Sequence, residues 1–583
     1  MTFGHGGQAQ AQDHGQRIQP RLVRPEAHTL STLPKILVPV AHMLLFLNSR
    51  AYGCTEIAFK SDQPMIPYSP QQARRSIFKT IGFRAISQAA TVLSYIVLVR
   101  GMQEHAFGIY NLFYSFIPVI TTLASFGLEQ TLRRFQPEYL RTSRPLASAW
   151  LVRTVAGARF ASTLLMLAII LLAWNVIAKR LDLVGYRTDF AVFGVLIILY
   201  LQTAILQLSL ASHMLHQYSV GSVAAMSVGK LLAYLAITVY GSLTLRSAIL
   251  ADIAAYGVGY LLLLGGHWRL RSRLPRAAGP RLDASERKRL TRYAVFNHLN
   301  DAGSLLVYGQ TDNFFIGAML SPVAVAAYAF YGRLTEMINN LMPQKLFDNV
   351  IQPMFFAVPA AESDSRLSRY FTLLIDLNLA LQLPAIAFVI VCHRELVQVF
   401  FAGRYLQYSD LFPLVVALSI VPSSMSVPIS LVAQYHERAG LMLASELFGL
   451  YQFGAMLVLI PALGLYGAAL STGSFHALRN FWIWWQMRRQ VQWRNVQGVL
   501  TMGLLIWGSV VAVCSLLRML LPPLPAIVQM AIGVAACGMG ALAFLRSSGI
   551  SQSDREILAT LMHGREAPLL RWLGLAPRSQ AAS

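Results

Sequence analysis

The sequence predicts an all-α polytopic membrane protein, and three observations carry that expectation. Apolar residues come in runs of about 20, enough to span a hydrocarbon core. Of 583 residues, 55% are hydrophobic and only 13% charged, where a soluble protein carries roughly a quarter charged. The basic residues gather in short loops between the runs. Counting the runs gives about 14 transmembrane helices, as two groups of six with two more at the C-terminal side.

The formal charge of +22 would suggest nucleic acid as a partner for a soluble protein. Here the loop positions of the Arg and Lys side chains assign the charge to membrane orientation, so no nucleic-acid partner is expected. Cys54, Cys392, Cys514 and Cys537 show neither metal-ligand spacing nor a disulfide framework. No metal or other cofactor is expected.

Residues 1–73 read as an N-terminal extension, with Gln, Gly, His and Pro frequent in its first part. Ile36 to Leu47 is apolar but short for a span, and its place after a polar lead fits a signal peptide poorly. A disordered extension and a misassigned start, with Met65 as initiator, are both open.

Six spans follow at about 80–99, 108–130, 152–175, 190–212, 219–240 and 246–267. They form a first lobe, residues 74–267. A basic cytoplasmic linker, 268–293, holds nine Arg and Lys residues. The second lobe, 294–489, places spans at about 294–318, 323–345, 371–392, 409–433, 439–460 and 463–486. Two extra spans, at about 497–520 and 524–545, occupy 490–545. A cytoplasmic tail, 546–583, carries an amphipathic stretch near Arg555 to Leu573.

Loop charge sets the orientation. Arg74, Arg75 and Lys79, then Arg133, Arg134, Arg141 and Arg144, then the linker, then Arg488, Arg489 and Arg494 all fall on one side in the alternating count. Lys179, Arg180 and Arg187 are the main exception. Both termini are therefore expected in the cytoplasm.

The segment from Tyr293 to Phe356 concentrates the candidate functional residues. Asn297, Asp301, Tyr308 and Asp312 succeed one another in steps of four, seven and four, on one helical face. Arg333, Glu336 and Asn340 do the same on the next span. Ionisable groups within a span are costly and face a partner or a water-filled cavity. These seven are expected to line a substrate cavity; a purely structural ion pair is the alternative.

Other residues have two readings each. Arg84 and Gln88 share a face of the first span with Thr91 and Tyr95. Arg84 either snorkels to the headgroups or holds a phosphate in its guanidinium fork. Lys230 and Asp252 either pair across helices or line a cavity of the first lobe. Glu129 is expected to pair with Arg133, one turn on. Arg479, one turn from His476, either snorkels or faces the cavity. Asp301, Asp312, Glu336 and Glu446 are candidates for ion coupling. Tyr308, Tyr328 and Tyr331 are the better candidates for stacking on sugars, with ordinary packing as the alternative. Pro118, Pro384, Pro413, Pro422 and Pro428 suggest kinks within spans. A faint echo links the lobes: Ala106-Phe107-Gly108-Ile109-Tyr110 opens the second span and Ala326-Ala327-Tyr328 the eighth. Repeated halves of this kind are a common transporter architecture.

Three stretches resemble a known family. Ser87 to Phe135 has an Arg ending the first helix (Arg100), a Gly-x-Tyr after the turn (Gly108, Tyr110), and Phe126-Gly127 leading to Arg133 and Arg134. Thr311 to Leu334 is similar to the matching second-half signature, and Phe400 to Leu418 to a later turn with Gly403 and Tyr405. Across about Arg74 to Arg489 the chain resembles the Wzx-like polysaccharide exporters of the multidrug/oligosaccharidyl-lipid/polysaccharide (MOP) superfamily. That resemblance implies two six-helix lobes in a V plus two extra helices. It implies flipping of an undecaprenyl-diphosphate-linked oligosaccharide across the bacterial inner membrane, for O-antigen, capsule or exopolysaccharide synthesis. Its partners would be that lipid-linked glycan, membrane lipids, and the polymerase and glycosyltransferases of the same pathway.

On this reading the protein is a transporter rather than an enzyme. No G-x-x-x-x-G-K-[ST] run occurs, so nucleotide is not expected as the direct drive. The alternatives are a membrane polysaccharide polymerase or glycosyltransferase, and a drug or cation exporter of the same superfamily. For the first, Glu104, Asp182, Asp189, Glu395 and Asp410 are the outer-face acids to test.

Overall fold

The computed structural model describes residues 70–142, 144–213, 215–273, 283–304, 311–340, 363–436, 438–488, 496–520, 522 and 524–546. Residues 1–69 with Met65, Tyr308, and the tail beyond Arg546 lie outside them. Asp301 is placed in a helix, but its side chain also lies outside the description. Among the described residues every regular element is helical.

The first half runs through α1 (Pro70–Gly101), α2 (Glu104–Leu123), α3 (Leu128–Arg141), α4 (Pro145–Leu172), α5 (Trp174–Leu181), α6 (Arg187–Ser212), α7 (His216–Tyr240) and α8 (Leu245–Arg273). The second half begins with α9 (Ala284–Ser304), α10 (Asp312–Met319), α11 (Pro322–Asn339) and α12 (Ser363–Phe401). It continues through α13 (Leu411–Tyr435), α14 (Ala439–Ser445), α15 (Phe448–Leu463) and α16 (Leu465–Met487). Then come α17 (Val496–Leu520) and α18 (Ala526–Arg546). Among the described residues, ten helices are long and apolar enough to cross a membrane. The protein is an all-α multi-pass membrane protein.

The second span differs from its expected extent of about 108–130. The helix stops at Leu123, because Phe126 and Gly127 take left-handed backbone angles (φ 44° and 65°) that turn the chain. Beyond the turn, α3 is a separate amphipathic helix. It buries Leu132, Phe135 and Tyr139 against Leu151, Val155, Ile205 and Leu290, and leaves Arg133 and Arg134 exposed. Glu129 therefore does not close a span beside Arg133. It pairs with Arg159 of α4 at 3.2 Å, on the far side of the turn. The eleventh span, expected as one helix, comes as α14 and α15 on either side of Glu446 and Leu447.

Within the first half, α7 packs on α1 and α8, and α6 on α8. Within the second, α16 packs on α13 and α15, while α12 packs on α13 and carries α17 and α18 on its other flank. The halves meet chiefly along α2 and α11, the two helices that bear the sequence echo. Ser321 caps α11 by accepting the Ala324 N–H at 3.1 Å, and Pro322 occupies its first turn. One apolar core joins both halves there, including Phe107, Tyr110, Phe113, Ile316, Val325, Phe330 and Tyr331.

Candidate functional site

The halves touch at both ends of the α2–α11 seam. At the end carrying Met102, Gly108 lies so close to α11 that a Cβ would overlap the Pro322 carbonyl oxygen. Tyr95 stacks on Phe330 at 6.2 Å, and Phe107 faces Tyr405 at 6.1 Å. Two arginines cross the seam in opposite directions. Arg100 donates to the main-chain carbonyls of Val399 and Phe400, both at 2.7 Å. Arg404 donates to those of Met102 at 3.1 Å and Arg100 at 3.4 Å. Three of the residues that carried the resemblance, Arg100, Gly108 and Tyr405, belong to this contact.

At the opposite end, a Cβ on Gly127 would overlap the Ala294 carbonyl oxygen, so α9 presses onto the turn after α2. His298 lies against Phe126 at 5.0 Å, and Tyr293 meets Phe135 edge-on at 5.3 Å. Arg144 grips Glu286 with both guanidinium nitrogens, at 2.5 and 3.1 Å, and Arg289 reaches Glu138 at 3.1 Å. The Arg144 hydrogen bond is the main reason the Glu286 carboxyl titrates below the usual carboxylate range.

Between the two contacts lies an exposed ion pair. Arg333 and Glu336 project from α11, 45% and 48% exposed and 2.5 Å apart, although their neighbours Leu334 and Thr335 are buried. The Arg333 charge acts on Tyr95, Tyr110, Tyr200 and Tyr256, which come from four different helices of the first half. Tyr200 also lies within the field of Glu129 and Glu336. An exposed guanidinium can take a phosphate in its fork, and the Tyr200–Tyr256 ring pair, 5.7 Å apart with Tyr200 37% exposed, can take a sugar on its aromatic faces.

In each half a tyrosine of the sequence echo donates to a buried aspartate, Tyr110 to Asp252 and Tyr328 to Asp312. Asp252 accepts from Tyr114 at 2.6 Å, Tyr110 at 2.7 Å and Tyr234 at 2.8 Å, with the Lys230 ammonium 2.9 Å away. Asp312 accepts from Thr472 at 2.7 Å, Tyr328 at 2.9 Å and Gln452 at 3.4 Å. Next to it Asn313 donates to Ser115 of α2 at 2.9 Å, a buried polar link between the halves.

The candidate residues thus separate into groups. Arg333 and Glu336 stand together in the interior. Lys230 pairs with Asp252, and Asp312 has a network of its own. Arg479 pairs with another candidate, Glu446, at 2.6 Å and donates to Ser445 at 3.1 Å. Asn297 donates to the Tyr293 carbonyl of its own helix, and Asn340 caps α11. Arg84 and Gln88 are exposed on α1. Tyr114, Tyr234, Gln452 and Thr472 were not among the expected site residues. The only signal for Gln452 and Thr472 is a polar residue inside an apolar helix.

This architecture defines a multi-pass membrane protein whose halves meet along α2 and α11, with the Arg333–Glu336 pair between the two end contacts. Residues 73–357 match the family model described as polysaccharide biosynthesis protein. The fold of the chain is shared with a solved structure of the lipid II flippase MurJ in an inward closed conformation. That match has a TM-score of 0.60 at 9% identity and covers 81% of this chain and 99% of the other. An inward-facing multidrug resistance MATE family transporter of the MOP superfamily is similar at TM-score 0.55 and 13% identity, covering 70% of this chain and 98% of the other. No curated protein matches in sequence.

Proposed function

We propose that the protein is a flippase that moves an undecaprenyl-diphosphate-linked oligosaccharide across the bacterial inner membrane by alternating access. The glycan would serve O-antigen, capsule or exopolysaccharide synthesis, supplied by glycosyltransferases and consumed by a polymerase of the same pathway. The family description and the fold shared with a lipid II flippase support a lipid-linked cargo. One observation carries the reading furthest: Arg333 stands 45% exposed on α11, while the seam is closed at both ends. A cationic fork suits the diphosphate, and the exposed face of Tyr200 suits the sugars.

Rocking of the halves about α2 and α11 would release one contact while keeping the other. Loop charge puts Arg144, Glu286 and both termini on the cytoplasmic side, so the Met102 contact closes the outer side. Asp312 is the coupling candidate the geometry favours. Its described partners are neutral, whereas Glu336 and Glu446 each face an arginine.

The test uses purified protein in liposomes with a fluorescent undecaprenyl-diphosphate oligosaccharide and a membrane-impermeant quencher. Transbilayer movement of the intact glycan lipid is the expected result. A lengthened glycan without movement would make the protein a polymerase. Movement of an amphiphilic cation alone would make it a drug exporter.

A further inference from the structure

In each half the tyrosine of the sequence echo donates to a buried aspartate, but among the described residues only the first half supplies a lysine with it. Asp252 is fully buried on α8. Its Oδ2 accepts from Tyr110 and Tyr114, and its Oδ1 from Tyr234. The Lys230 Nζ, brought by α7, sits 2.9 Å from Oδ1 and donates to the Tyr110 hydroxyl at 3.1 Å. The same ammonium lies over three aromatic faces, those of Tyr234 at 5.3 Å, Tyr114 at 5.5 Å and Tyr110 at 5.9 Å. A carboxylate, a phenol oxygen and three ring faces converging on one point form a site for a small monovalent cation. An unpaired carboxylate in this position would be strongly destabilising.

We propose that the Asp252 cage is a monovalent-cation site permanently filled by the protein's own ammonium, with Lys230 as a tethered counter-ion. The first half is therefore charge-balanced without any ion from solution. Removing the tether unmasks the site, which then takes Na⁺ or a small alkylammonium. Among the described residues, the side-chain donors to Asp312 are two hydroxyls and an amide. The inference concerns occupancy of the cage and does not depend on what the protein carries.

The test is thermal unfolding of the full chain in detergent, in NaCl or ethylammonium chloride against choline chloride at equal ionic strength. Choline is too large for a site vacated by one lysine side chain. Lys230→Ala is expected to melt lower than wild type in choline, and to recover by roughly 2 °C or more in Na⁺ or ethylammonium, beyond any shift of the wild type. Lys230→Ala/Asp252→Asn is expected to lose that extra recovery. A Lys230→Ala response equal to wild type, or a recovery that persists in the double variant, would overturn the proposal. If Lys230→Ala does not fold, the double variant must restore folding, because it removes the unpaired charge. Failure to restore it would equally overturn the proposal.

Discussion

Tyr328 donates its hydroxyl to Asp312 at 2.9 Å, tying α11 to α10 through a buried carboxylate. Removing one donor from such an acceptor costs about 1–3 kcal/mol. Tyr328→Phe is therefore expected to lower stability by about that amount, read as a drop in melting temperature in detergent. Thr472→Val, which removes the 2.7 Å donor, should fall in the same range. If neither variant changes the melting temperature, the network does not hold these helices together.

Gly108 and Gly332 make a matched pair for the seam. A Cβ at Gly108 would overlap main-chain atoms of Pro322, whereas at Gly332 it meets open space. Overpacking against backbone costs about 1–3 kcal/mol, while Gly→Ala in an open helix position gains up to about 1 kcal/mol. Gly108→Ala should thus destabilise and Gly332→Ala stabilise, both measured by thermal unfolding. Equal shifts would mean that the halves do not approach at Gly108.

The Arg144–Glu286 grip predicts an acid-sensitive contact. Glu286 titrates below the usual carboxylate range because of the Arg144 hydrogen bond, with partial desolvation opposing it. A lowered folded-state pKa gives stability that is present above the unfolded carboxyl pKa and is lost as pH falls through the folded one. Wild type should therefore lose this contribution as pH drops below about 4, and Glu286→Gln should lack it throughout. The check is the difference in melting temperature between the two across that range; a pH-independent difference would contradict the assignment.

Arg333 separates function from stability. Its pair with Glu336 is exposed, and exposed pairs contribute about 0–1 kcal/mol. Arg333→Gln should leave the melting temperature nearly unchanged. It should slow glycan-lipid movement by about tenfold or more if the fork holds the diphosphate, a loss of about 1.4 kcal/mol in affinity. Unchanged transport would reduce Arg333 to a partner of Glu336.

How much of this could be read in the sequence depends on where each partner lies along the chain. The all-α membrane-spanning class and the echo tyrosines come from periodicity and local spacing. The echo proved more informative than its short match suggests, since Tyr110 and Tyr328 each reach a buried aspartate. Lys230 and Asp252 were visible as ionisable groups in apolar spans, with their pairing left open. Their tyrosine cage was not legible, because Tyr114 and Tyr234 look like ordinary span aromatics until α2, α7 and α8 are brought together. The Glu129 assignment failed for a local reason. Glu129 and Arg133 do share α3, one turn apart, but the left-handed turn at Phe126-Gly127 lays that helix beside α4, where the buried Arg159 takes Glu129 at 3.2 Å and Arg133 stays exposed.

The crossed arginines at the Met102 end have acceptors that belong to the main chain. Substituting Met102, Val399 or Phe400 leaves those carbonyls in place, so the contact tolerates drift in its acceptor positions. A lost arginine, in turn, cannot be compensated by a new side chain opposite it. Selection for suppressors of an Arg100 or Arg404 defect should therefore return changes that alter how the helices sit, such as substitutions at glycine or proline positions of α2 and α11. Paired charge swaps should be missing from that collection, and a search for co-varying residue pairs would pass over this contact altogether.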